Sequence, residues 1–281
     1  MNILEWLRVI FLGIVEGITE WLPVSSTGHL ILVDEFWKTS APQVFTESFT
    51  NMFEVVIQLG AILAVVTVFF HKLNPFSNRK TAQQRHNTMV LWGKVIVGCL
   101  PAAVVGLLFN DWMEEHLMSW QMVAAMLIVY GVLFMAIEWY CRRKDFRIIR
   151  FSQLSYGTAL LIGVIQILAL VPGTSRSGVT ILGAMLLGCS RFIAAEYTFY
   201  LAIPVMFGAS GLKIVKFLLD GGGFTGEQFA VVLVAMLVAY LVSIFVIKFL
   251  MDYIKRHDFR VFGVYRIVLG VVVILCFSLI F

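Results

Sequence analysis

Charge is scarce in this chain. Asp, Glu, Lys and Arg make up 14% of its 281 residues, against about 25% in soluble domains. Hydrophobic residues make up 60% and mean hydropathy is +0.92. A soluble domain of this length closes its core with far less apolar sequence. A soluble protein is therefore excluded and an integral membrane protein expected. Lys/Arg-rich runs are missing too, so no nucleic-acid partner is expected, and the net charge of +4 is spread over short loops. The four cysteines, Cys99, Cys141, Cys189 and Cys276, form no CxxC pair and no Cys/His cluster. That excludes a disulfide framework and a zinc site, and leaves small buried apolar side chains. No Walker loop is present, which argues against nucleotide hydrolysis. At the N-terminus Glu16 and Glu20 follow directly on the apolar run Ile10–Val15 with no small-residue cleavage site. No cleaved signal peptide is therefore expected, and the whole chain is read as mature protein.

What is present is long apolar sequence. About 20 apolar residues cross the hydrocarbon core. Six segments reach that length: Met52–Phe70, Met89–Phe109, Ser119–Tyr140, Ala195–Leu218, Gln228–Leu250 and Val261–Phe281. Each is expected to be helical, because lipid cannot satisfy an open backbone. Two further apolar regions, Ile3–Val33 and Leu154–Cys189, are interrupted at their centres. The first reads Leu22-Pro23-Val24-Ser25-Ser26-Thr27-Gly28-His29, the second Val171-Pro172-Gly173-Thr174-Ser175-Arg176-Ser177-Gly178. Proline breaks a helix, and a break at membrane depth must be buried in protein or line a wet cavity. Each region is read as two short helices folded into a re-entrant hairpin.

Loop charge supports that reading. One loop carries Lys72, Arg79, Lys80 and Arg85, a second Arg142, Arg143, Lys144, Arg147 and Arg150, and a third Lys255, Arg256 and Arg260. The other loops are acidic, with Asp34, Glu35 and Glu47, then Asp111, Glu114 and Glu115, then Asp220 and Glu227. The positive-inside rule places the basic loops in the cytoplasm. The six spans then alternate correctly only if each interrupted region enters and leaves on one side, and both termini fall outside. The parity is that of an inverted repeat, about 1–118 and 152–281 with a basic linker near 141–151 in a single membrane domain. A weak echo joins Gly13-x-x-Glu16 and Pro23 to Gly163-x-x-Gln166 and Pro172. Inverted repeats with broken helices place their sites where the breaks meet.

The polar residues in these regions carry the chemistry. Glu16 and Glu20, spaced i, i+4, lie on one helix face. Two neighbouring carboxylates need a shared proton or a cation between them, and Mg²⁺ commonly uses one or two carboxylates plus phosphate oxygens. Ser25, Ser26 and Thr27 open the next helix, whose free N–H groups and dipole favour an anion. Plain N-capping is the alternative, but it leaves His29 in an apolar hairpin unexplained. Arg176 offers a flat fork of donors suited to phosphate, flanked by Thr174, Ser175, Ser177 and Thr180. A structural salt bridge from Arg176 to Glu16 or Glu20 is the competing reading, and both hold if the bridge precedes ligand binding. Glu54 and Gln58 are expected to share a face behind this site, Glu196 to pair with Arg191, and Glu138 to be solvated. Lys213, Lys216 and Lys248 are read as snorkelling. Carboxylates, an Arg fork, helix-start amides, a hydroxyl and a histidine are the inventory of phosphoryl transfer. A membrane-embedded site implies a substrate with a lipid tail.

Glu16-x-x-x-Glu20 leading into Pro23-Val24-Ser25-Ser26-Thr27-Gly28-His29, with Pro172-Gly173-Thr174-Ser175-Arg176-Ser177-Gly178 and Phe53-Glu54-Val55-Val56-Ile57-Gln58-Leu59-Gly60, resembles the undecaprenyl-diphosphate phosphatases of the bacterial inner membrane. The likeness runs along essentially the whole chain. It implies hydrolysis of undecaprenyl diphosphate to the monophosphate and inorganic phosphate, which recycles a lipid carrier for cell-wall synthesis, and a link to bacitracin resistance. It also implies a site opening to the periplasm, a divalent cation, Mg²⁺ or Ca²⁺, and Glu16, Glu20, Ser26, His29 and Arg176 as essential residues. A homodimer stays open. On this basis Glu16 and Glu20 are expected to hold the metal, with Glu20 also a candidate base. Ser25, Thr27, Thr174, Ser175 and Ser177 are expected to bind the diphosphate. Ser26 is the expected nucleophile, with His29 protonating the leaving group or activating Ser26; water or His29 itself as nucleophile remains an alternative.

Two neighbouring readings compete. The phosphatidic-acid-phosphatase type pairs Ser-Gly-His with Ser-Arg and a distant His, but here no His follows Arg176 at the needed distance and the Lys/Arg-Pro motif is missing. A transporter of a polyprenyl phosphate also uses inverted repeats and broken helices. It needs anion-binding groups but not a metal with an acid and a base.

Overall fold

The computed structural model describes residues 1–279, with every side chain among them except those of Asn110, Asp111 and Glu114. The side chains of Asp111 and Glu114 and the last two positions of the final span thus lie outside the described residues, and the backbone of the expected acidic loop forms the end of the helix Ala82–Leu117. The described chain is a succession of helices: α1 (Ile3–Thr19), α2 (Ser26–Phe36), α3 (Glu47–Val56), α4 (Gln58–Val68), α5 (Phe70–Leu73), α6 (Ala82–Leu117), α7 (Trp120–Cys141), α8 (Tyr156–Gln166), α9 (Arg176–Leu186), α10 (Arg191–Leu219), α11 (Gly226–Tyr253) and α12 (Arg260–Leu279). Among the described residues the only β pairing is an isolated bridge between Ile148 and Cys189.

Local chemistry sets most of the starts. Asn2, Thr46, Ser119, Ser155 and Ser190 each accept an N–H bond from the first turn of the helix they precede. Thr81 with Gln84 and Thr225 with Gln228 form capping boxes. Six stretches are long and apolar enough to cross a membrane: Glu47–Val68, Ala82–Phe109, Trp120–Cys141, Arg191–Leu219, Gly226–Tyr253 and Arg260–Leu279. These are the six expected spans. The first is divided at Ile57 between α3 and α4, but Ile57 keeps right-handed helical dihedrals and donates to the Phe53 carbonyl, so the direction of the span carries on past it. At about 1.5 Å per residue, even the 20 residues of α12 cover the hydrocarbon thickness. The protein is thus all-α and polytopic. Its outer surface is apolar, with Leu107, Leu108 and Phe245 all exposed, as a lipid-facing wall requires.

Small residues let the helices close. Lipid supplies no hydrophobic drive between helices, so close backbone approach and dispersion hold them together. The longest such seam joins α7 to α12. A Cβ on Gly131 would lie 2.7 Å from the Gly263 carbonyl, and one on Gly263 2.8 Å from that of Gly131. Gly13 of α1 meets the Ala235 carbonyl of α11 at a comparable 2.8 Å. α10 fills the middle, with Tyr197, Phe199, Tyr200 and Leu201 fully buried, against α3, α4, α6 and α9.

Two side-chain expectations are overturned. Glu196 pairs with Lys72 at 2.5 Å and accepts from the Tyr200 hydroxyl, not from Arg191. Arg191 instead binds Glu138, which is buried instead of solvated and also accepts from the Phe259 N–H at 2.9 Å. The reason is packing: the loop ahead of α12 folds over the end of α7 and seals Glu138 from water. Arg191→Ala leaves that carboxylate buried with one backbone partner. It is expected to destabilise the protein by about 3 kcal/mol, measured as a lower unfolding midpoint in detergent, with Arg191→Lys losing less.

Candidate active site

Two broken-helix units meet in the protein interior. α1 ends at Thr19, where Glu20 caps it by donating its N–H to the Glu16 carbonyl at 3.1 Å. The break therefore starts before Pro23. Trp21 to Val24 form a turn, and Ser25 at φ +75° caps α2 by accepting from the Gly28 N–H. In the second unit α8 passes into a 3-10 turn, Ile167–Leu170. Pro172 to Thr174 then lead to Ser175 at φ +71°, which caps α9 by accepting from the Gly178 N–H. A left-handed backbone is uncommon for serine and costs about 1–3 kcal/mol. Both breaks carry it at the same place, one residue before the helix start.

The two units are bolted together through Glu20. Arg176 Nη2 lies 2.8 Å from Glu20 Oε1, and the Ser26 hydroxyl donates to Glu20 Oε2 at 3.2 Å. Ser177 donates to the Glu20 main-chain carbonyl at 3.1 Å. Of the two salt-bridge options in the sequence, the one to Glu20 is formed. Arg176 also donates to the Thr198 carbonyl at 3.2 Å, and its guanidinium stands 5.8 Å from the centre of the Trp21 ring. Its Nε has no partner.

Glu16 is the outlying member. It is fully buried and neither carboxylate oxygen has a hydrogen-bond partner. A buried carboxylate without compensation is costly, and a bound proton or cation would relieve it. Among the described residues no cluster of three or more His, Cys, Asp or Glu is placed to hold a metal. Glu16 and Glu20 fit a hard divalent ion only if other oxygens complete its shell, which is how Mg²⁺ is bound beside phosphates.

The remaining expected residues divide. Ser25 and Ser175 spend their hydroxyl acceptors on capping, so capping holds for these two. Ser177 touches both Ser175 and Glu20. Thr180 accepts from Thr198 and donates back to the Arg176 carbonyl, which braces the α9 start. Thr174 is buried and Thr27 half-buried. Among the described residues no hydrogen bond ties the side chain of either to the Glu20 group. His29 is not bonded to Ser26: its Nδ1 faces the Ser25 carbonyl at 2.8 Å and its Nε2 the Tyr265 hydroxyl at 2.7 Å.

Sequence reading missed Arg266. This side chain is fully buried in α12. It donates to the Pro23 carbonyl at 3.3 Å, the Gly173 carbonyl at 2.8 Å and the Thr174 carbonyl at 2.9 Å. One guanidinium thus satisfies carbonyls freed by both breaks. The available signal was an arginine inside a 20-residue apolar helix, which is costly unless paired inward.

Comparison with known proteins covers nearly the whole chain. The family model described as bacitracin resistance protein BacA matches residues 9–272. A protein of Lactiplantibacillus plantarum named undecaprenyl-diphosphatase is 56% identical over 277 residues, covering 99% of each chain. One of Streptococcus thermophilus with the same name is 56% identical, covering 97% of this chain and 93% of its own. One of Enterococcus faecalis, again so named, is 53% identical over 95% of each.

Arg266→Lys provides one ammonium where a planar fork bridged two breaks. Carbonyls left without a donor cost about 1–3 kcal/mol each. The variant is therefore expected to unfold at lower temperature and to show faster amide exchange at both breaks than at α7 or α11. Unchanged exchange at either break would remove Arg266 as their common partner.

Proposed function

The chain belongs to the bacitracin resistance protein BacA family, and on that premise we propose that it hydrolyses undecaprenyl diphosphate to undecaprenyl phosphate and inorganic phosphate, recycling the lipid carrier of cell-wall synthesis. The observation that carries the reading is the joining of Arg176 and Ser26 on the two oxygens of Glu20. It gathers a phosphate fork, a hydroxyl and a base from two units, with Glu20 and Arg176 156 residues apart.

In this mechanism the diphosphate displaces Glu20 from Arg176, and the guanidinium fork takes its oxygens by charge-assisted hydrogen bonds. The N–H groups at the starts of α2 and α9 add positive potential. Glu20, released from Arg176, keeps Ser26 Oγ and takes its proton. Ser26 Oγ attacks the outer phosphorus; the bond from that phosphorus to the bridging oxygen breaks, and its electron pair leaves with the lipid monophosphate. Glu20 returns its proton to solvent, then takes one from a water that attacks the phosphoserine. That proton passes to Oγ as the P–Oγ bond breaks and inorganic phosphate leaves. Glu16 and Glu20 would hold a divalent cation, Mg²⁺ or Ca²⁺, which neutralises charge building on the phosphate oxygens. His29 does not activate Ser26 in this arrangement, because both its nitrogens are engaged elsewhere.

The same reading places the protein in the bacterial plasma membrane with the site opening to the periplasmic side and both termini outside. The two broken-helix units are then re-entrant hairpins of an inverted-topology repeat. Support comes from the paired left-handed serines, Ser25 and Ser175, each capping an 11-residue helix. A homodimer rests on the resemblance alone. A carrier for polyprenyl phosphate is not favoured, since the relatives are named as diphosphatases.

Purified protein is expected to release phosphate from a long-chain polyprenyl diphosphate, to lose that activity in EDTA and to regain it with Mg²⁺. Arg176→Ala should lower kcat/KM by about a thousandfold or more. Ser26→Ala should fall to background; full turnover by that variant would transfer the attack to a water held by Glu20. No release from folded wild-type protein would sink the hydrolase.

A further inference from the structure

His29 and Tyr265 form a pair that the reaction above leaves unused. His29 Nδ1 lies 2.8 Å from the Ser25 carbonyl oxygen, one turn back on its own helix. A carbonyl only accepts, so Nδ1 carries the hydrogen. In the neutral ring Nε2 then holds the lone pair, and the Tyr265 hydroxyl, 2.7 Å away, must be the donor to it. The two rings are stacked, with centres 5.6 Å apart and planes 12° from parallel. Ser26 gives its own hydrogen bond to Glu20. The one basic nitrogen of His29 is therefore directed to α12, at a place where Tyr265 is 46% exposed.

Three features fix this contact. Ser25 is held at φ +75°, which sets where its carbonyl points and so which nitrogen is protonated. Arg266, the next residue after Tyr265, is bonded to carbonyls of both breaks, so α12 cannot slide past α2. One turn further on, Leu269 packs over Gly28, where an added Cβ would lie 3.4 Å from its methyl group. Adjacent residues on a helix point about 100° apart, so Arg266 turns inward while Tyr265, itself exposed, covers His29.

We propose that Tyr265 is a positioning residue for His29. Its hydroxyl holds the imidazole as the Nδ1–H tautomer. Nε2 is thereby the nitrogen that exchanges a proton with a phosphate oxygen once the phosphate takes the place of the phenol. The proposal rests on the diphosphatase reading for its consequence, but not for its geometry. A histidine's tautomer is set by the bond its other nitrogen makes, and here both bonds are supplied by named partners. A histidine merely satisfied in a packed interior would need neither a stacked donor nor one at an exposed position.

The test uses full-length protein labelled with ¹⁵N-histidine in detergent, with the His29 signals identified by their loss in His29→Asn. Wild-type His29 is expected to show a protonated Nδ1 and a hydrogen-bonded, unprotonated Nε2. Tyr265→Phe keeps the stacked ring and removes the donor, so the Nε2 resonance should move to that of a free lone pair. Loss of such an orienting partner typically costs about 10–100-fold. Phosphate release by Tyr265→Phe should accordingly fall about tenfold in kcat, with KM within about twofold of wild type. Wild-type His29 in the Nε2–H form, or Tyr265→Phe with unaltered resonances and kcat, would overturn the proposal. If wild-type protein releases no phosphate, the diphosphatase reading fails, and the nitrogen spectra still decide the Tyr265 contact.

Discussion

A helix that breaks inside a membrane frees carbonyls and N–H groups that lipid cannot satisfy. In this protein the two breaks solve the problem jointly. Ser25 and Ser175 turn into the left-handed region to cap the helices that follow. Arg266 reaches from α12 to the carbonyls of Pro23, Gly173 and Thr174. Neither break is satisfied by its own segment alone. The two must sit side by side within reach of one guanidinium, and this proximity is what permits a shared site.

The same proximity explains the charge arrangement. Arg176 on one unit would be a bare cation and Glu20 on the other a bare anion. Together they neutralise each other at 2.8 Å. The pairing is also reversible in principle, because a phosphate offers Arg176 the same two-pronged acceptor that a carboxylate does. Glu16, fully buried, has no hydrogen-bond partner on either carboxylate oxygen.

Tertiary context also decided which ion pairs formed at the other end of the bundle. Glu196 and Arg191 lie five residues apart in sequence, and proximity in the chain suggested a pair. On a helix that separation turns them to different faces. Glu196 therefore faces Lys72 and Tyr200, and Arg191 faces Glu138 from another helix. Glu138 looked solvated because it stands near a span end; burial followed from Phe259 and its loop folding across it.

The sequence by itself determined the six spans, since length and apolar content decide whether a helix can cross lipid. It also located both breaks and their candidate site residues, because Glu16, Glu20, His29 and Arg176 stand out against apolar surroundings where any charge needs a reason. Only the tertiary structure decided the partners. Glu20 chose Arg176 and Ser26, His29 chose Tyr265 over Ser26, and Ser25 and Ser175 became caps. Arg266 carried the same signal, a charge inside an apolar span, but its direction was not legible. An arginine a few residues inside a span, just after the basic stretch Lys255–Arg260, has the pattern of a snorkelling side chain. Whether it turns outward to water or inward to two broken backbones depends on the rotation of α12 against α7, which the glycine seam at Gly131 and Gly263 sets across 132 residues of chain.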